Sequence, residues 1–480
     1  MSNENVSKNG VAGSAVTALI QKARLAQRIY EKYSQEQVDE VVTAIGWAVM
    51  QPEHNRMLSD LAVKATGLGD ADDKFQKNYR KTLGLLRDLK GAKSVGVIAE
   101  YPELGLVDIA RPVGVVAAIT PSTNPVATPT NKIINALKGR NAVIVAPSPK
   151  GHTSCAALLQ FIHAELRKVN APLDLVQCLP APITKQSTHE LMQQADLVVA
   201  TGSQNNVRAA YASGTPAFGV GAGNVAVIVD LSANLQEAAA NIIRSKTFDN
   251  ATSCSSENSV VILEGVYEAT ISALTDAGAV LLDAAEKKTL QQFMWPHGSL
   301  SADATAQSAA EIAKRAGLTR SPILPARVLM VEETGAGADY PFSGEKLSPV
   351  LTVYRARNFD HACAIVNLIY GFQGAGHSVG IHTTDDAHVL KLGLELPVCR
   401  VIVNQGHCFA TGGSFDNGLP FSLSMGCGTW GGNNFSDNMG YKNFLNITRL
   451  VRKIPERMPS EEEIFGDYLH KYGRAPSRLD

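Results

Sequence analysis

Cys254 is the residue whose surroundings best suit covalent chemistry. It lies in the polar run Thr252-Ser-Cys-Ser-Ser256, between a helical pattern and a strand pattern. Small polar neighbours leave space for a substrate and offer backbone N–H groups to a thiolate, the form of cysteine that attacks electrophiles. Cys178 and Cys399 have apolar neighbours, which are typical of cysteines kept for packing. An ordinary loop cysteine is the alternative for Cys254, and only partners elsewhere in the chain can decide between the two interpretations.

A second polar side chain suited to catalysis follows an apolar strand pattern at Val113–Thr120. Asn124 lies in Pro121-Ser-Thr-Asn-Pro125, between two prolines that stiffen its loop. At the carboxyl end of a buried strand, a carboxamide N–H can stabilise an oxyanion. A turn-forming asparagine is the alternative interpretation.

Further segments place a titratable residue or closely spaced glycines at an element boundary. Glu345 begins Glu345-Lys-Leu-Ser-Pro349, and His377 lies in Gly374-Ala-Gly-His-Ser378; taken singly, each side chain is more often structural than catalytic. The glycines of Gly219-Val-Gly-Ala-Gly-Asn224 precede a strand pattern rather than a helix, which excludes the dinucleotide-binding fingerprint. Close approach of two backbone segments is the better account of these glycines.

The composition indicates a globular protein with small-molecule partners. The chain has 480 residues, 45% hydrophobic and 19% charged, with a net charge of -1, which favours two or three domains and argues against disorder and nucleic-acid binding. Its seven cysteines form no Cys-x-x-Cys pair, so we expect a reduced compartment and no metal site. The polar start lacks an export signal, and no apolar run approaches the ~20 residues of a membrane span. We expect a soluble cytoplasmic protein.

Helical spacing predicts helices from Ala15 to about Leu89, followed by an edge hairpin at about residues 93–112 that serves assembly. Strand and helix patterns then alternate, which is typical of a doubly wound parallel sheet. Thr128 is the predicted N-cap of one of these helices, with Pro129 at its first position and Gly139 closing it. The predicted strands are 113–120, 142–146, 174–179 and 197–200, and the predicted helices are 128–137, 153–169, one ending at 192 and one ending at 213.

A second α/β region follows at about residues 225–423, with strands predicted at 225–229, 260–263, 328–331, 350–354, 379–382 and 401–404. Residues 412–440 are rich in Gly, Asn and Ser and predict a folded loop, while the charged tail after Arg449 is expected to be peripheral. The sequence therefore predicts a cofactor-binding domain at residues 1–223, a catalytic domain at 224–424 and a C-terminal loop and tail at 425–480.

Taken in order, these segments resemble the aldehyde dehydrogenase superfamily from about Val16 to Tyr441, most closely its coenzyme A-acylating branch. The segments that carry the resemblance are Thr-Asn124-Pro, Ala146-Pro-Ser-Pro, Gly219-Val-Gly-Ala-Gly-Asn224, Lys246-Thr-Phe-Asp-Asn250 with Cys254, Glu345-Lys-Leu-Ser-Pro349, Gly376-His377 and Gly426-Cys-Gly-Thr-Trp-Gly-Gly-Asn433. Within that branch, residues 205–216 and 251–258 are most similar to acylating sulfoacetaldehyde dehydrogenases. The resemblance implies an α/β fold with two doubly wound domains and a small oligomerisation hairpin, assembled as a homodimer or homotetramer.

The resemblance also implies roles for individual residues. The Cys254 thiolate would attack an aldehyde, Asn124 and the Cys254 N–H would hold the oxyanion, and Glu345 would bind the nicotinamide ribose. Hydride transfer would leave a thioester on the sulfur. The residues expected to bind the dinucleotide are Thr120, Pro121, Ser122, Pro147, Ser148, Lys150, Thr201, Gly202, Ser203, Gly221, Glu345 and Leu347.

One departure from the family indicates the product. Hydrolytic members carry a glutamate base where this chain has Val220, and valine cannot activate water. The thioester would therefore wait for the thiol of coenzyme A, which is the cosubstrate of the branch. His377 matches a histidine of that branch and is expected to deprotonate or orient this thiol, with a structural histidine as the alternative.

Coenzyme and substrate are predicted from fewer residues. Lys150 stands near the position where NAD-preferring hydrolytic relatives carry a glutamate, which favours NADP, with NAD as the alternative. We expect a short anionic aldehyde, sulfoacetaldehyde, with substrate contacts from Thr252, Ser255, His407 and Thr411. Succinate semialdehyde and acetaldehyde are the alternative substrates. Two alternatives belong to other functional classes. One is a phosphorylating semialdehyde reductase, and the other is a catalytically inactive family member that serves only as an assembly partner.

Overall fold

The computed structural model describes residues 14–473. The polar start, from which we predict the lack of an export signal, lies outside the described residues. Between residues 14 and 473, no helix has both the length and the apolar character needed to cross a membrane.

The described chain opens with four amphipathic helices, as the apolar spacing predicts: α1 (Ala15–Tyr30), α2 (Gln35–Met50), α3 (Pro52–Thr66) and α4 (Ala71–Leu89). Ser34 caps α2 in a capping box with Gln37, and Gly67 ends α3 in the left-handed conformation at φ 70°. The Asp70 side chain accepts hydrogen bonds from the first turn of α4. The predicted hairpin follows as β1 (Gly96–Tyr101) and β2 (Leu106–Pro112), which pair antiparallel.

The first parallel sheet has five strands in the order β5-β4-β3-β6-β7. Its elements are β3 (Val115–Thr120), α5 (Ala127–Lys138), β4 (Ala142–Pro147), α6 (His152–Lys168), β5 (Val176–Cys178), α7 (Lys185–Gln194), β6 (Leu197–Ala200), α8 (Gln204–Tyr211) and β7 (Ala217–Gly219). Every residue of β3 and β4 is buried, which explains their unbroken apolar sequence. The predicted Thr128 N-cap is wrong, because the Thr128 N–H already donates to the Asn124 carbonyl and α5 begins one residue earlier.

The second parallel sheet has seven strands in the order β10-β11-β12-β9-β8-β13-β14. Its elements are β8 (Val225–Val229), α9 (Leu235–Thr247), β9 (Glu257–Leu263), α10 (Tyr267–Asp276), β10 (Ala279–Leu281), α11 (Ala284–Met294), α12 (Ala309–Ala316), β11 (Val328–Glu332), β12 (Val350–Ala356), α13 (Phe359–Phe372), β13 (Val379–His382), α14 (Asp386–Glu395) and β14 (Val401–Val403). The sequence analysis did not predict the three-residue strands β7 and β10. The predicted α/β class with two doubly wound sheets is confirmed.

The C-terminal part returns to the first half of the chain through α15 (His407–Ala410), β15 (Leu445–Val451) and α16 (Glu461–Tyr472). Phe421, Met439 and Phe444 join the hydrophobic core around the five-stranded sheet. β15 pairs antiparallel with β2 and completes a three-stranded sheet, and Arg449 forms an ion pair with Asp108 of β2. The tail after Arg449 continues this exposed edge strand as far as Val451, where its backbone supplies hydrogen bonds that β2 needs.

Candidate active site

The loop that carries Cys254 has an unusual backbone. Between α9 and Cys254 the chain makes a short turn at Phe248–Ala251, in which Asp249, Asn250 and Ala251 have φ of 51°, 50° and 58°. Non-glycine residues rarely adopt this left-handed conformation, and they keep it only where the surrounding contacts hold it in place. The shape of the loop is therefore imposed by its neighbours.

Asp249 supplies most of the contacts that hold this loop. Its carboxylate accepts hydrogen bonds from the Asp70 N–H at 2.8 Å, from Lys74 Nζ at 3.0 Å and from Lys77 Nζ at 2.5 Å. Its own N–H donates to the Asp73 carboxylate at 2.7 Å. Burial raises the pKa of Asp249, but the two ammonium groups outweigh it and hold that pKa below its usual value. The first half of α4 thus fixes the nucleophile loop through a buried ionic cluster.

The glycine-rich segment at residues 219–224 passes directly behind Cys254. A Cβ on Gly223 would lie 1.9 Å from the Cys254 carbonyl oxygen, so only glycine fits there. The expected close approach of two backbone segments is confirmed. In the same segment the Val220 N–H donates to the Ala200 carbonyl at 3.1 Å, and the Val220 side chain is buried.

A cavity of about 420 Å³ opens in front of Cys254. The residues with sequence-predicted roles that line it are Asn124, Cys254, Pro121, Ser122, Thr201, Gly202, Ser203, Gly221, Glu345, Leu347, Thr252 and Ser255. Val220 lines it as well. The structure therefore brings most of the predicted site residues to one place, at the carboxyl edge of the five-stranded sheet.

Four residues expected to bind the dinucleotide lie outside this cavity wall: Thr120, Pro147, Ser148 and Lys150. Thr120 and Pro147 stand opposite each other at the ends of β3 and β4. Ser148 accepts a hydrogen bond from the Gly151 N–H at 3.3 Å, and Lys150 is exposed on the same turn. These residues lie along the same edge of the sheet, farther from Cys254 than the cavity wall.

Asn124 is oriented by a partner that the sequence did not reveal. Lys77 Nζ donates to Asn124 Oδ1 at 2.9 Å and to Thr252 Oγ1 at 3.0 Å. Because the carboxamide oxygen accepts from the ammonium, its NH₂ group is left to donate toward the cavity that Asn124 lines. This is the geometry that an oxyanion hole requires. Lys77 is a positioning residue, and its only sequence signal is its place on the buried face of α4.

His377 lies beside the sulfur and behind the cavity wall. Its Nε2 is 3.6 Å from Cys254 Sγ, and its Nδ1 is 2.7 Å from Ser378 Oγ. Ser378 Oγ is in turn 2.8 Å from His407 Nε2. Burial, with a smaller effect of Arg400, lowers the pKa of His377 to about 3, so the ring is neutral at physiological pH. His377 can exchange a proton with a thiol but does not form a thiolate–imidazolium pair with Cys254.

His407 and Thr411, which we expect to contact the substrate, are fully buried and do not line the cavity. The Thr411 hydroxyl donates to the His407 carbonyl at 2.8 Å, and the His407 N–H donates to the Glu257 carboxylate at 2.9 Å. The structure therefore places both residues behind His377 instead of against a substrate.

Glu345 is the one carboxyl group among the described residues that line the cavity. Burial raises its pKa to about 8, although Lys246 and Lys346 oppose the shift. Lys246 Nζ is buried and, within residues 14–473, has no hydrogen-bond partner; burial lowers its pKa to about 7. The Glu345 carboxyl group is thus largely protonated at neutral pH. In this form it can donate a hydrogen bond but cannot act as a base. Residues 14–473 contain no group of His, Cys, Asp and Glu side chains that could hold a metal ion.

The alkylation of Cys254 by iodoacetamide is expected to accelerate with pH and to show no plateau between about pH 6 and 9. Burial, with a smaller effect of Glu345, raises the pKa of Cys254 to about 12. Only the thiolate reacts, and below its pKa the thiolate fraction grows about tenfold per pH unit. Mass spectrometry of the Cys254 peptide, with the half-buried Cys178 as the internal reference, measures the rates. A plateau below about pH 8 would show that a neighbouring cation holds the sulfur as a thiolate.

Comparison with known proteins tests the resemblance to the aldehyde dehydrogenase superfamily. A model of the aldehyde dehydrogenase family matches residues 6–321. The chain is 61% identical over 463 residues to an acylating sulfoacetaldehyde dehydrogenase of Cupriavidus necator, covering 96% of this chain and 94% of that protein. It is 39% identical over 458 residues to an acetylating succinate-semialdehyde dehydrogenase of Clostridium kluyveri, covering 94% of this chain and 99% of that protein.

Comparison with solved structures leads to the same family as comparison of the sequences. The crystal structure of an acetylating aldehyde dehydrogenase from Geobacillus thermoglucosidasius matches this chain with a TM-score of 0.89 and 35% sequence identity, covering 93% of this chain and 98% of that one. The resemblance inferred from the ordered segments around Asn124, Cys254 and Glu345 is thereby confirmed, and the chain belongs to the aldehyde dehydrogenase family.

Proposed function

We propose that this protein is a coenzyme A-acylating aldehyde dehydrogenase that oxidises sulfoacetaldehyde to sulfoacetyl-CoA with a nicotinamide dinucleotide. The observation that carries the proposal is the wall of the cavity around Cys254. It presents a thiol, an oriented carboxamide and, at Val220, an aliphatic side chain where hydrolytic relatives carry a base. Such a site can form a thioester but cannot activate water to hydrolyse it.

The first half of the reaction follows from Cys254 and Asn124. The Cys254 thiol gives its proton to the neutral His377, whose Nε2 lies 3.6 Å from the sulfur, as the sulfur bonds to the aldehyde carbon. The carbonyl oxygen becomes an oxyanion that accepts from the Asn124 NH₂ group. When bound, an oxidised nicotinamide would accept the hydride that leaves the adduct carbon, and an acyl thioester would remain on Cys254. Glu345 and Leu347 line the part of the cavity that we assign to the nicotinamide ribose, and a protonated Glu345 is suited to donate to a ribose hydroxyl.

The second half transfers the acyl group to coenzyme A. The thiol of coenzyme A attacks the thioester, its sulfur bonds to the acyl carbon, and the bond from Cys254 to that carbon breaks. We assign to His377 the removal or orientation of the coenzyme A proton. The neutral His377 ring beside Cys254 and its hydrogen bond to Ser378 support this assignment. Glu345 does not replace the missing base at neutral pH, because its pKa of about 8 keeps it mostly protonated.

NADP is the coenzyme that we propose, with NAD as the alternative. Lys150 supports this choice, because it is an exposed cation on the turn after β4, where a 2'-phosphate can reach it.

We also propose a cofactor domain at residues 1–223, a catalytic domain at 224–424 and a C-terminal part at 425–480. Assembly as a homodimer or homotetramer is proposed through the three-stranded sheet, whose β1 and β15 edges expose Val97, Tyr101 and Val451.

With coenzyme A omitted, the wild-type enzyme is expected to give a single burst of reduced dinucleotide, about one per active site, and then to stop. The burst is followed by absorbance after sulfoacetaldehyde is mixed with NADP or NAD, and added coenzyme A should restore steady turnover. Phosphate in place of coenzyme A should not restore it. Sustained release of free acid without coenzyme A, or phosphate-dependent turnover, would contradict the proposal. The same assay with acetaldehyde and succinate semialdehyde separates the alternative substrates.

A further inference from the structure

A row of cations on α4 lines the catalytic cavity. Lys77, Arg80 and Lys81 are spaced so that they share one face of the helix, and all line the cavity wall. The charge of Lys77 is balanced by Asp249. Lys81 donates instead to the Gly412 and Gly413 carbonyls at 2.9 and 3.0 Å, and it forms no ion pair with a carboxylate of residues 14–473. Burial lowers the pKa of Lys81 to about 8, which leaves it protonated at neutral pH and favours an anion beside it.

Arg80 stands between this cavity and a second one. The second cavity, of about 360 Å³, adjoins the first and shares Arg80, Phe248 and Phe409 with it. Within residues 14–473, Arg80 has no ion pair, and its guanidinium lies over the Phe415 ring at 5.3 Å. A guanidinium that is held by an aromatic ring keeps its N–H groups free for an anion.

The wall of the second cavity is also cationic. It includes Arg244, which lies over the Phe409 ring at 4.5 Å, and Arg327, which donates to the Thr247 hydroxyl at 3.2 Å. Neither arginine has a carboxylate partner among the described residues. The one acid in this wall is Asp73, whose carboxylate already accepts from the Asp249 N–H. Asp416, which is not part of this wall, is close enough to Arg80 and Arg244 for their charges to contribute to lowering its pKa. Three arginines thus face two nearby carboxylates, Asp73 and Asp416, and leave a net positive charge at the approach to the catalytic cavity.

We propose that Arg80 and Lys81 bind the anionic group of the aldehyde substrate and that Arg244 and Arg327 attract it to the cavity. The spacing fits a short substrate. Lys77 contacts the oxyanion donor Asn124, and Lys81 lies four residues further along α4, which corresponds to a rise of about 6 Å. An aldehyde whose oxygen faces Asn124 therefore has its far end within reach of the long side chains of Lys81 and Arg80.

This subsite deepens the proposed function, on which it rests for the identity of the aldehyde. It replaces the expectation that His407 and Thr411 contact the anionic group. A sulfonate and a carboxylate share the chemistry that such a subsite recognises, namely several oxygen acceptors and one negative charge.

Alkylation of Cys254 tests the subsite without requiring catalysis. The probes are iodoacetate, 2-bromoethanesulfonate and neutral iodoacetamide, and the rates are measured by mass spectrometry of the Cys254 peptide. Arg80→Gln is expected to slow the two anionic probes about tenfold, the loss of one charge-assisted hydrogen bond, while iodoacetamide changes less than about twofold. Lys81→Gln is a second variant with the same expected pattern. Arg167→Gln, an exposed arginine in the last turn of α6, is the matched control and should leave all rates unchanged.

Equal slowing of the anionic and neutral probes, or no change in either variant, would overturn the subsite. A larger effect on 2-bromoethanesulfonate than on iodoacetate would support a sulfonate as its ligand, and the reverse would support a carboxylate. In steady state, Arg80→Gln should raise the KM for sulfoacetaldehyde about tenfold and leave the KM for coenzyme A unchanged. A rise in the KM for coenzyme A alone would mean that the cations bind its phosphates, which contradicts the assignment. Because alkylation does not depend on turnover, its outcome is separate from that of the coenzyme A omission assay.

Discussion

Replacing Cys254 with alanine is expected to lower kcat at least about a thousandfold, because no other group can carry the acyl intermediate. Cys408 lines the same cavity but is buried, and its amide N–H donates to Ser245 Oγ on α9. The burst of reduced dinucleotide without coenzyme A should vanish together with steady turnover. Stopped-flow absorbance measures both in one experiment.

The matched control for this variant is Cys178→Ala. Cys178 is a half-buried free cysteine at the end of β5, and it does not line the cavity around Cys254. Its replacement should leave kcat within about twofold of the wild type. If Cys254→Ala kept more than about a tenth of wild-type turnover, the sulfur would not be the acyl carrier.

Asn124→Asp is expected to lower kcat about a hundredfold to a thousandfold, as the loss of an oxyanion-hole donor does in other enzymes. The aspartate has the same shape and can still accept from Lys77, so the loop is expected to keep its structure. The variant, however, presents an acceptor and a negative charge where the oxyanion forms. Asn124→Ala removes the donor without adding a charge and should cause a loss within the same range.

Two measurements separate this role from a merely structural one. The rate of Cys254 alkylation by iodoacetamide should change little in Asn124→Ala, because this reaction forms no oxyanion. The KM for the aldehyde should also change less than kcat, since the Asn124 donor acts mainly in the transition state. Asn446→Ala, on the exposed strand β15, is the control. Parallel losses in alkylation and turnover would show that Asn124 only supports the loop.

The chemistry of the site could be predicted where it depends on short stretches of sequence. Cys254 and Asn124 each follow a recognisable element and have polar or proline neighbours, which marks them as candidates, and the structure places both on the wall of one cavity. The glycines at residues 219–224 were assigned to a close backbone approach, and Gly223 indeed touches Cys254. The alternation of strands and helices likewise predicted both parallel sheets, because each long strand is a buried apolar run.

The features of the site and fold that the sequence did not predict depend on contacts between residues that lie far apart in the chain. Lys77 contacts Asn124 across 47 residues, and Asp249 bridges α4 to the nucleophile loop across more than 170 residues. No local pattern marks Lys77 as part of a catalytic site, and the segment Lys246-Thr-Phe-Asp-Asn250 does not by itself indicate that Asp249 contacts α4. His407 was assigned to the substrate because it follows a strand, whereas the α15 turn directs its ring to Ser378 and away from the cavity. β15 escaped recognition for the same reason, since its partner β2 lies some 330 residues earlier.

The most direct test of the proposed chemistry is the mass of the Cys254 peptide after wild-type enzyme is mixed with sulfoacetaldehyde and oxidised dinucleotide, without coenzyme A. We predict that Cys254 gains one sulfoacetyl group as a thioester, that the adduct persists in water, and that coenzyme A removes it to give sulfoacetyl-CoA. An unmodified Cys254, or an adduct that water discharges to the free acid as fast as coenzyme A discharges it to the thioester, would contradict the proposal.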